Sequence, residues 1–155
     1  MLSWKNSFIK NYKLITILVM SFLYIFIGAK HFTEPQYFVN ITPPQVQHKL
    51  FAVYFTGVLE ILGGLLILYK KTRMIGAYTL IFLLIVVFPA NIYLYLSEIP
   101  QQLLGISKTQ ALTRMPFQAP LILLAYWHSK ENHPKWVAYL SLLVFPPTII
   151  YFLSI

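Results

Sequence analysis

Long uncharged runs dominate the chain, and short segments between them carry most of its charges. Five runs occupy residues 14–29, 50–69, 74–96, 112–128 and 136–155, with Glu60 in the second and Arg114 in the fourth. A helix needs about 20 mostly apolar residues to cross the hydrocarbon core of a membrane. Lipid cannot satisfy exposed backbone groups, and the runs are continuous rather than alternating. They therefore predict five transmembrane helices.

The composition points to the same class of protein. Of the 155 residues, 58% are hydrophobic and only 10% are charged, whereas soluble domains carry about 25% charged residues. The predicted fold class is an all-α, polytopic membrane helix bundle that forms a single membrane domain over residues 1–155. The chain contains no cysteine, so thiol–disulfide chemistry, iron–sulfur clusters and thiolate metal sites are excluded.

The net charge of +8 reflects membrane topology better than nucleic-acid binding, because the basic residues lie between the apolar runs. Membrane lipids are therefore expected partners and nucleic acid is not. The positive-inside rule predicts a cytoplasmic N-terminus and an external C-terminus. The expected location is a bacterial inner membrane. Eight of the twelve Lys and Arg residues then lie inside: Lys5, Lys10, Lys13, Lys70, Lys71, Arg73, Lys130 and Lys135.

The segment between the first two runs, residues 33–49, is predicted to cover the outer end of the helix bundle. It contains Thr42-Pro43-Pro44-Gln45. A threonine followed three residues later by glutamine, with proline in the first turn, is a helix-start signature. The second helix is therefore predicted to begin near residue 43, above the membrane.

Strongly polar residues within the runs all fall in the outer half or at the midplane. At about 1.5 Å per residue, Glu60 lies roughly 15 Å below the outer start of the second run, and Asn91 lies about 7 Å down the third. Arg114 and Gln118 share one face of a helix, and His31 ends the first run. These five residues predict one polar pocket with His31 at its rim. An intramembrane carboxylate is costly unless protonated or paired, so Glu60 is expected to pair with Arg114.

Four short motifs resemble the DoxX-like family of small multi-pass membrane proteins. They are Glu60 within a glycine-rich second span, "FPAN" at 88–91, "RMPFQ" at 114–118 and "GAKHF" at 28–32. The resemblance implies a four-helix membrane core, here at about residues 13–130. The final run, at about 136–155, departs from that pattern as an extra C-terminal span. The family includes redox-associated subunits and an assembly chaperone, so it implies fold more strongly than function.

Three hypotheses of function follow. In the first, the chain is a redox-associated subunit that binds a quinone-like or other amphipathic molecule in the outer-leaflet pocket. Asn91, Arg114 and Gln118 would hydrogen-bond a carbonyl oxygen and Glu60 would exchange protons, while a partner membrane or redox subunit would supply electrons. In the second, it is a non-catalytic assembly, chaperone or interaction protein with a structural polar cluster. In the third, it is a small transporter or lipid-binding protein.

Cofactor expectations are limited to a quinone or a lipid, with nothing bound covalently. No histidine–carboxylate cluster occurs at metal-ligand spacing, so no metal site is expected. The residues assign no catalytic group and leave open whether the chain is an enzyme. The four histidines divide between the two sides, with His31 and His48 outside and His128 and His133 inside. No two of them face each other within spans as a haem would require.

Overall fold

The computed structural model describes residues 2–154, and the side chains of residues 7–154. These residues form seven helices and no strand, which confirms the all-α prediction. Five of the helices are 19 to 32 residues long. The helices are α1 (Leu2–Thr33), α2 (Pro35–Ile41), α3 (Lys49–Leu68), α4 (Arg73–Leu96), α5 (Glu98–Leu104), α6 (Lys108–Ser129) and α7 (Lys135–Leu153).

Four of the long helices, α1, α3, α4 and α7, are apolar and long enough to cross a membrane. They cover the first, second, third and fifth apolar runs. The fourth run forms a helix as well, because α6 is 22 residues long. It is not among the apolar four, since Lys108, Arg114 and several uncharged polar side chains occupy its first half.

The predicted helix start near residue 43 is wrong. Residues 43–48 form turns, and α3 begins only at Lys49. The residue expected to open the helix, Thr42, instead ends α2, where its hydroxyl donates a hydrogen bond to the Phe38 carbonyl at 2.8 Å. Pro35 stands in the first turn of α2, where its fixed φ and missing N–H are compatible with a helix.

The second short helix, α5, folds over the end of α4. The amide of Gln101 donates hydrogen bonds to the carbonyls of Leu94 and Tyr95 at 2.8 and 2.9 Å. These carbonyls lie in the last turn of α4, where they have no partner within the helix. Gly105 ends α5 with φ +63°, a left-handed conformation that favours glycine. Ser107 then opens α6 through a capping box.

Long helices that follow one another along the chain pack side by side: α1 on α3, α3 on α4, α4 on α6 and α6 on α7. We call the end that holds α2 and α5 the cap end. The opposite end, formed by loops 69–72 and 130–134, is called the basic end. The largest fully buried apolar side chains between the helices are Ile17, Met20, Ile67, Leu80, Leu83, Leu94, Leu124, Trp127 and Val137.

Two helices, α1 and α3, approach each other closely at small residues. A Cβ atom added at Gly57 would lie 2.6 Å from the His31 Cβ atom and 3.0 Å from the Gly28 carbonyl oxygen. About two turns further along, the Ser21 hydroxyl donates a 2.6 Å hydrogen bond to the Gly64 carbonyl. Small residues that let backbones meet in this way are a common basis of helix packing in membranes.

Candidate functional site

The carboxylate of Glu60 faces α1 and meets His31. Its Oε2 atom lies 3.1 Å from His31 Nδ1, and the two side chains are only 12% and 7% exposed. The same ring nitrogen lies 3.0 Å from the Ile27 carbonyl oxygen. An Nδ1–H group directed at that carbonyl leaves Glu60 Oε2 in close contact with the ring but without a hydrogen bond. His31 is therefore held by its own helix and set against the carboxylate.

The short helix α2 covers His31 and connects it to the other half of the bundle. The Phe38 ring stacks on the His31 ring with centroids 3.6 Å apart. Its neighbour Tyr37 accepts a hydrogen bond from Arg114 Nη2 at 2.9 Å through the phenol oxygen. The expectation that segment 33–49 lies over the polar residues agrees with this arrangement. Sequence reasoning missed Tyr37 and Phe38, because nothing distinguishes them among aromatics that form 17% of the chain.

The expected ion pair between Glu60 and Arg114 is wrong. Among the described residues, Glu60 lies within ion-pair distance only of His31, and Arg114 donates to Tyr37. Glu60 is eleven residues into α3 and Arg114 is six residues into α6. At 1.5 Å per residue, Arg114 lies about 7 Å nearer the start of its own helix. His31, and not Arg114, is the basic side chain beside Glu60, because α1 ends level with the middle of α3.

Gln118 and Asn91 also lie apart from the Glu60–His31 contact. Gln118 is buried at 6% exposure, and its amide nitrogen donates to the Leu84 carbonyl of α4 at 2.9 Å. Asn91, on α4, is partly buried, and no hydrogen bond of its side chain joins it to the other four residues within residues 7–154. The five predicted residues thus divide into a His31–Glu60 contact, an Arg114–Tyr37 contact and a Gln118–α4 contact.

Several buried polar atoms within the bundle have no hydrogen-bond partner. They include the Tyr24 hydroxyl, Glu60 Oε2 and Gln118 Oε1. Tyr24 is 6% exposed and lies on α1 within electrostatic range of Glu60. An unsatisfied buried polar group costs about 1–3 kcal/mol, so most such groups in proteins have a partner. These atoms are sites where water or a polar ligand would be stabilised.

Two open cavities lie on the surface, and none of the five predicted residues lines either of them. One, of about 570 Å³, lies at the cap end between α4, α5 and the start of α6, where Tyr95, Glu98 and Lys108 contribute to its wall. The other, of about 450 Å³, is an apolar groove between α3 and α4 that includes Leu59 and Phe82. The five predicted residues therefore share neither of these two cavities.

A further buried polar contact lies toward the basic end. Thr16 donates a hydrogen bond to the Lys13 carbonyl at 2.8 Å, and its oxygen lies 2.9 Å from His128 Nε2. Since the threonine hydrogen is already used, His128 donates through Nε2–H. Both side chains are fully buried, which ties α1 to α6. The sequence placed His128 near a helix end and gave no signal for this partner.

Charged and imidazole groups of the loops at the basic end have shifted pKa values. The side-chain hydrogen bond from Lys70, at 2.7 Å, lowers the pKa of the Glu131 carboxyl, and the charges of Lys70, Arg73 and Lys10 act in the same direction. Burial against Tyr126 lowers the pKa of His133. Across residues 2–154, no three His or Glu side chains are grouped so that they could hold a metal ion.

Comparison with known proteins places the chain in a family without assigning it an activity. No curated protein and no solved structure matches it. One family model, described as a domain of unknown function (DUF8561), matches residues 20–129. That range extends from the second half of α1 to the end of α6 and leaves α7 outside. The chain therefore belongs to the DUF8561 family.

Proposed function

We propose that the protein is a DoxX-like integral membrane protein that binds the polar head of an amphipathic, quinone-like molecule beside Glu60. Its role would be that of a redox-associated subunit. The chain supplies the binding site, and a partner subunit exchanges electrons with the bound molecule. Large apolar side chains on the outward faces of the long helices, such as Phe22, Phe51 and Leu143, support a lipid environment.

One observation carries the ligand proposal: the Tyr24 hydroxyl and Glu60 Oε2 are both buried without a hydrogen-bond partner, since the His31 Nδ1–H group beside Glu60 is directed at the Ile27 carbonyl. A carboxylate oxygen accepts a hydrogen bond and a phenol can donate one. The hydroxyl groups of a hydroquinone would donate to Glu60, and the carbonyls of a quinone would accept from Tyr24. Glu60 and Tyr24 could therefore hydrogen-bond both the reduced and the oxidised form of such a molecule.

The test of the ligand is extraction of the purified protein with organic solvent and mass spectrometry of the extract. Wild-type protein, Glu60→Gln, Tyr24→Phe and the control Glu98→Gln, an exposed glutamate on α5, would be compared. Loss of a hydrogen bond to a charged group costs about 1.5–3 kcal/mol, which corresponds to a roughly tenfold or greater loss of affinity. We expect less bound amphipath in the two site variants and no change in the control. Equal amounts in all four samples would contradict the proposal.

The proposed topology has five crossings, with α6 as the most polar crossing helix. Single cysteines at Ser3, Ser107 and Ser154 would report it, since the chain has no cysteine of its own. An impermeant maleimide is expected to label Ser3→Cys from the cytoplasm and the other two from outside. Cytoplasmic labelling of Ser154→Cys would mean an even number of crossings.

A non-catalytic assembly protein is the second candidate. The observation in its favour is that several polar side chains already bond across helices, namely Ser21 to Gly64, Gln118 to Leu84 and Arg114 to Tyr37. Such contacts stabilise a bundle without any ligand. A stoichiometric co-purified protein together with an extract free of amphipath would favour this candidate over the first.

A further inference from the structure

Among the described residues, no carboxylate lies within ion-pair distance of the positively charged Arg114 side chain. The chain contains four acidic residues, all glutamate. Three of them lie within ion-pair distance of a different basic group: Glu34 of Lys30, Glu60 of His31 and Glu131 of Lys70. The fourth, Glu98, is exposed on α5 and makes no ion pair with a side chain of residues 7–154. A guanidinium without a carboxylate partner among these residues favours the binding of an added anion.

Two tyrosine hydroxyls flank the guanidinium from neighbouring helices. The Tyr37 oxygen accepts from Arg114 Nη2 at 2.9 Å, so its own hydrogen remains available for donation. The Tyr151 hydroxyl, on α7, is buried and lies beside the Arg114 guanidinium, so its own hydrogen is also available for donation. Its ring is fixed by stacking on Phe117, with centroids 4.1 Å apart and planes within 3°. Three helices thus contribute hydrogen-bond donors to one place.

The position along α6 suits the polar boundary of a membrane. Arg114 follows the first residue of α6, Lys108, by six positions, which is about 9 Å along a helix. An arginine side chain can extend toward the headgroup region from that depth. A guanidinium also matches the geometry of phosphate oxygens, to which it can donate two parallel hydrogen bonds.

We propose that Arg114, Tyr37 and Tyr151 bind a phosphate oxyanion, supplied by the headgroup of an anionic phospholipid. The guanidinium neutralises the charge, and the two phenol hydroxyls donate hydrogen bonds to the oxygens. The site lies where α2, α6 and α7 meet. It rests on the membrane placement proposed above and is independent of the quinone-like ligand.

The test is thermal unfolding of the purified protein in an uncharged detergent. Phosphatidylglycerol, phosphatidylcholine of the same chain length, and inorganic phosphate at matched ionic strength would be added separately. Wild-type protein is expected to gain several degrees in Tm with phosphatidylglycerol and less with phosphatidylcholine. The gain should disappear in Arg114→Gln and shrink in Tyr151→Phe, which keeps the stacked ring. The control Lys108→Gln removes one charge from the same helix and should keep the gain.

The proposal would be overturned if phosphatidylglycerol raised the Tm of wild type and Arg114→Gln equally. It would also be overturned if the wild-type protein gained no more in Tm from phosphatidylglycerol than from phosphatidylcholine. If Arg114→Gln does not fold, Tyr151→Phe replaces it in the test: a smaller gain in Tm than in wild type supports the proposal, and an equal gain overturns it. An equal, Arg114-dependent gain with inorganic phosphate would assign the site to free phosphate instead of a lipid. Loss of the bound amphipath in Glu60→Gln with an unchanged phosphatidylglycerol effect would separate this site from the one at Glu60.

Discussion

The contact between α1 and α3 makes Gly57→Ala the most informative single substitution. The added methyl group would lie 2.6 Å from His31 Cβ, 3.1 Å from His31 Cγ and 3.0 Å from the Gly28 carbonyl oxygen. None of these atoms is the far end of a flexible side chain. Relief to an ordinary contact near 3.6 Å therefore requires the two helices to separate by about 1 Å.

The expected cost of Gly57→Ala combines three effects. Overpacking costs about 1–3 kcal/mol. Separation of the helices also strains the 2.6 Å hydrogen bond from Ser21 to Gly64, which contributes about 1 kcal/mol. The higher helix propensity of alanine returns about 1 kcal/mol. We therefore expect a net loss of roughly 1–3 kcal/mol in the free energy of unfolding.

The assay is reversible unfolding in mild detergent, followed by circular dichroism. Val58→Ala, one residue further along α3 and 42% exposed on its outward face, is the matched control. A surface substitution of this kind should change stability by no more than about 0.5 kcal/mol. If Gly57→Ala were as stable as the wild type, the helices could not be packed as closely as the structure has them. The close contact between His31 and Glu60, which depends on that packing, would then be contradicted as well.

Two further predictions concern charged groups. In a double-mutant cycle, Glu60→Gln and His31→Gln should show a coupling energy of about 0.5–3 kcal/mol. The effects of Glu60→Gln and Arg114→Gln should instead be additive within about 0.5 kcal/mol. Coupling between Glu60 and Arg114 would mean that the ion pair predicted from the sequence does form. Because the Lys70 hydrogen bond lowers the pKa of Glu131 in the folded protein, its stabilising effect is present at neutral pH and is lost as the pH falls through that lowered pKa. Lys70→Gln should weaken this acid dependence in pH-resolved thermal unfolding, and an identical pH profile would contradict it.

The sequence determined the helices better than their contacts. Long apolar runs have few alternatives to helix, so α1, α3, α4 and α7 follow directly from them. Local rules were less dependable at the connections. The Thr42 motif satisfied a helix-start pattern, yet the structure uses it to end α2, because tertiary contacts of the preceding aromatic residues favour a helix there.

The contacts of the candidate site depend on the axial offset between neighbouring helices, which the sequence of a single helix does not determine. Depth along each run correctly placed Glu60 in mid-helix and His31 at a helix end. It could not show that α1 ends level with the middle of α3, which brings those two residues within 3.1 Å. The offset is set by close approach at Gly28 and Gly57 and by α2 folded over the end of α1. Sequence fixes which residues are polar and roughly how deep they lie, whereas packing between helices decides which of them meet.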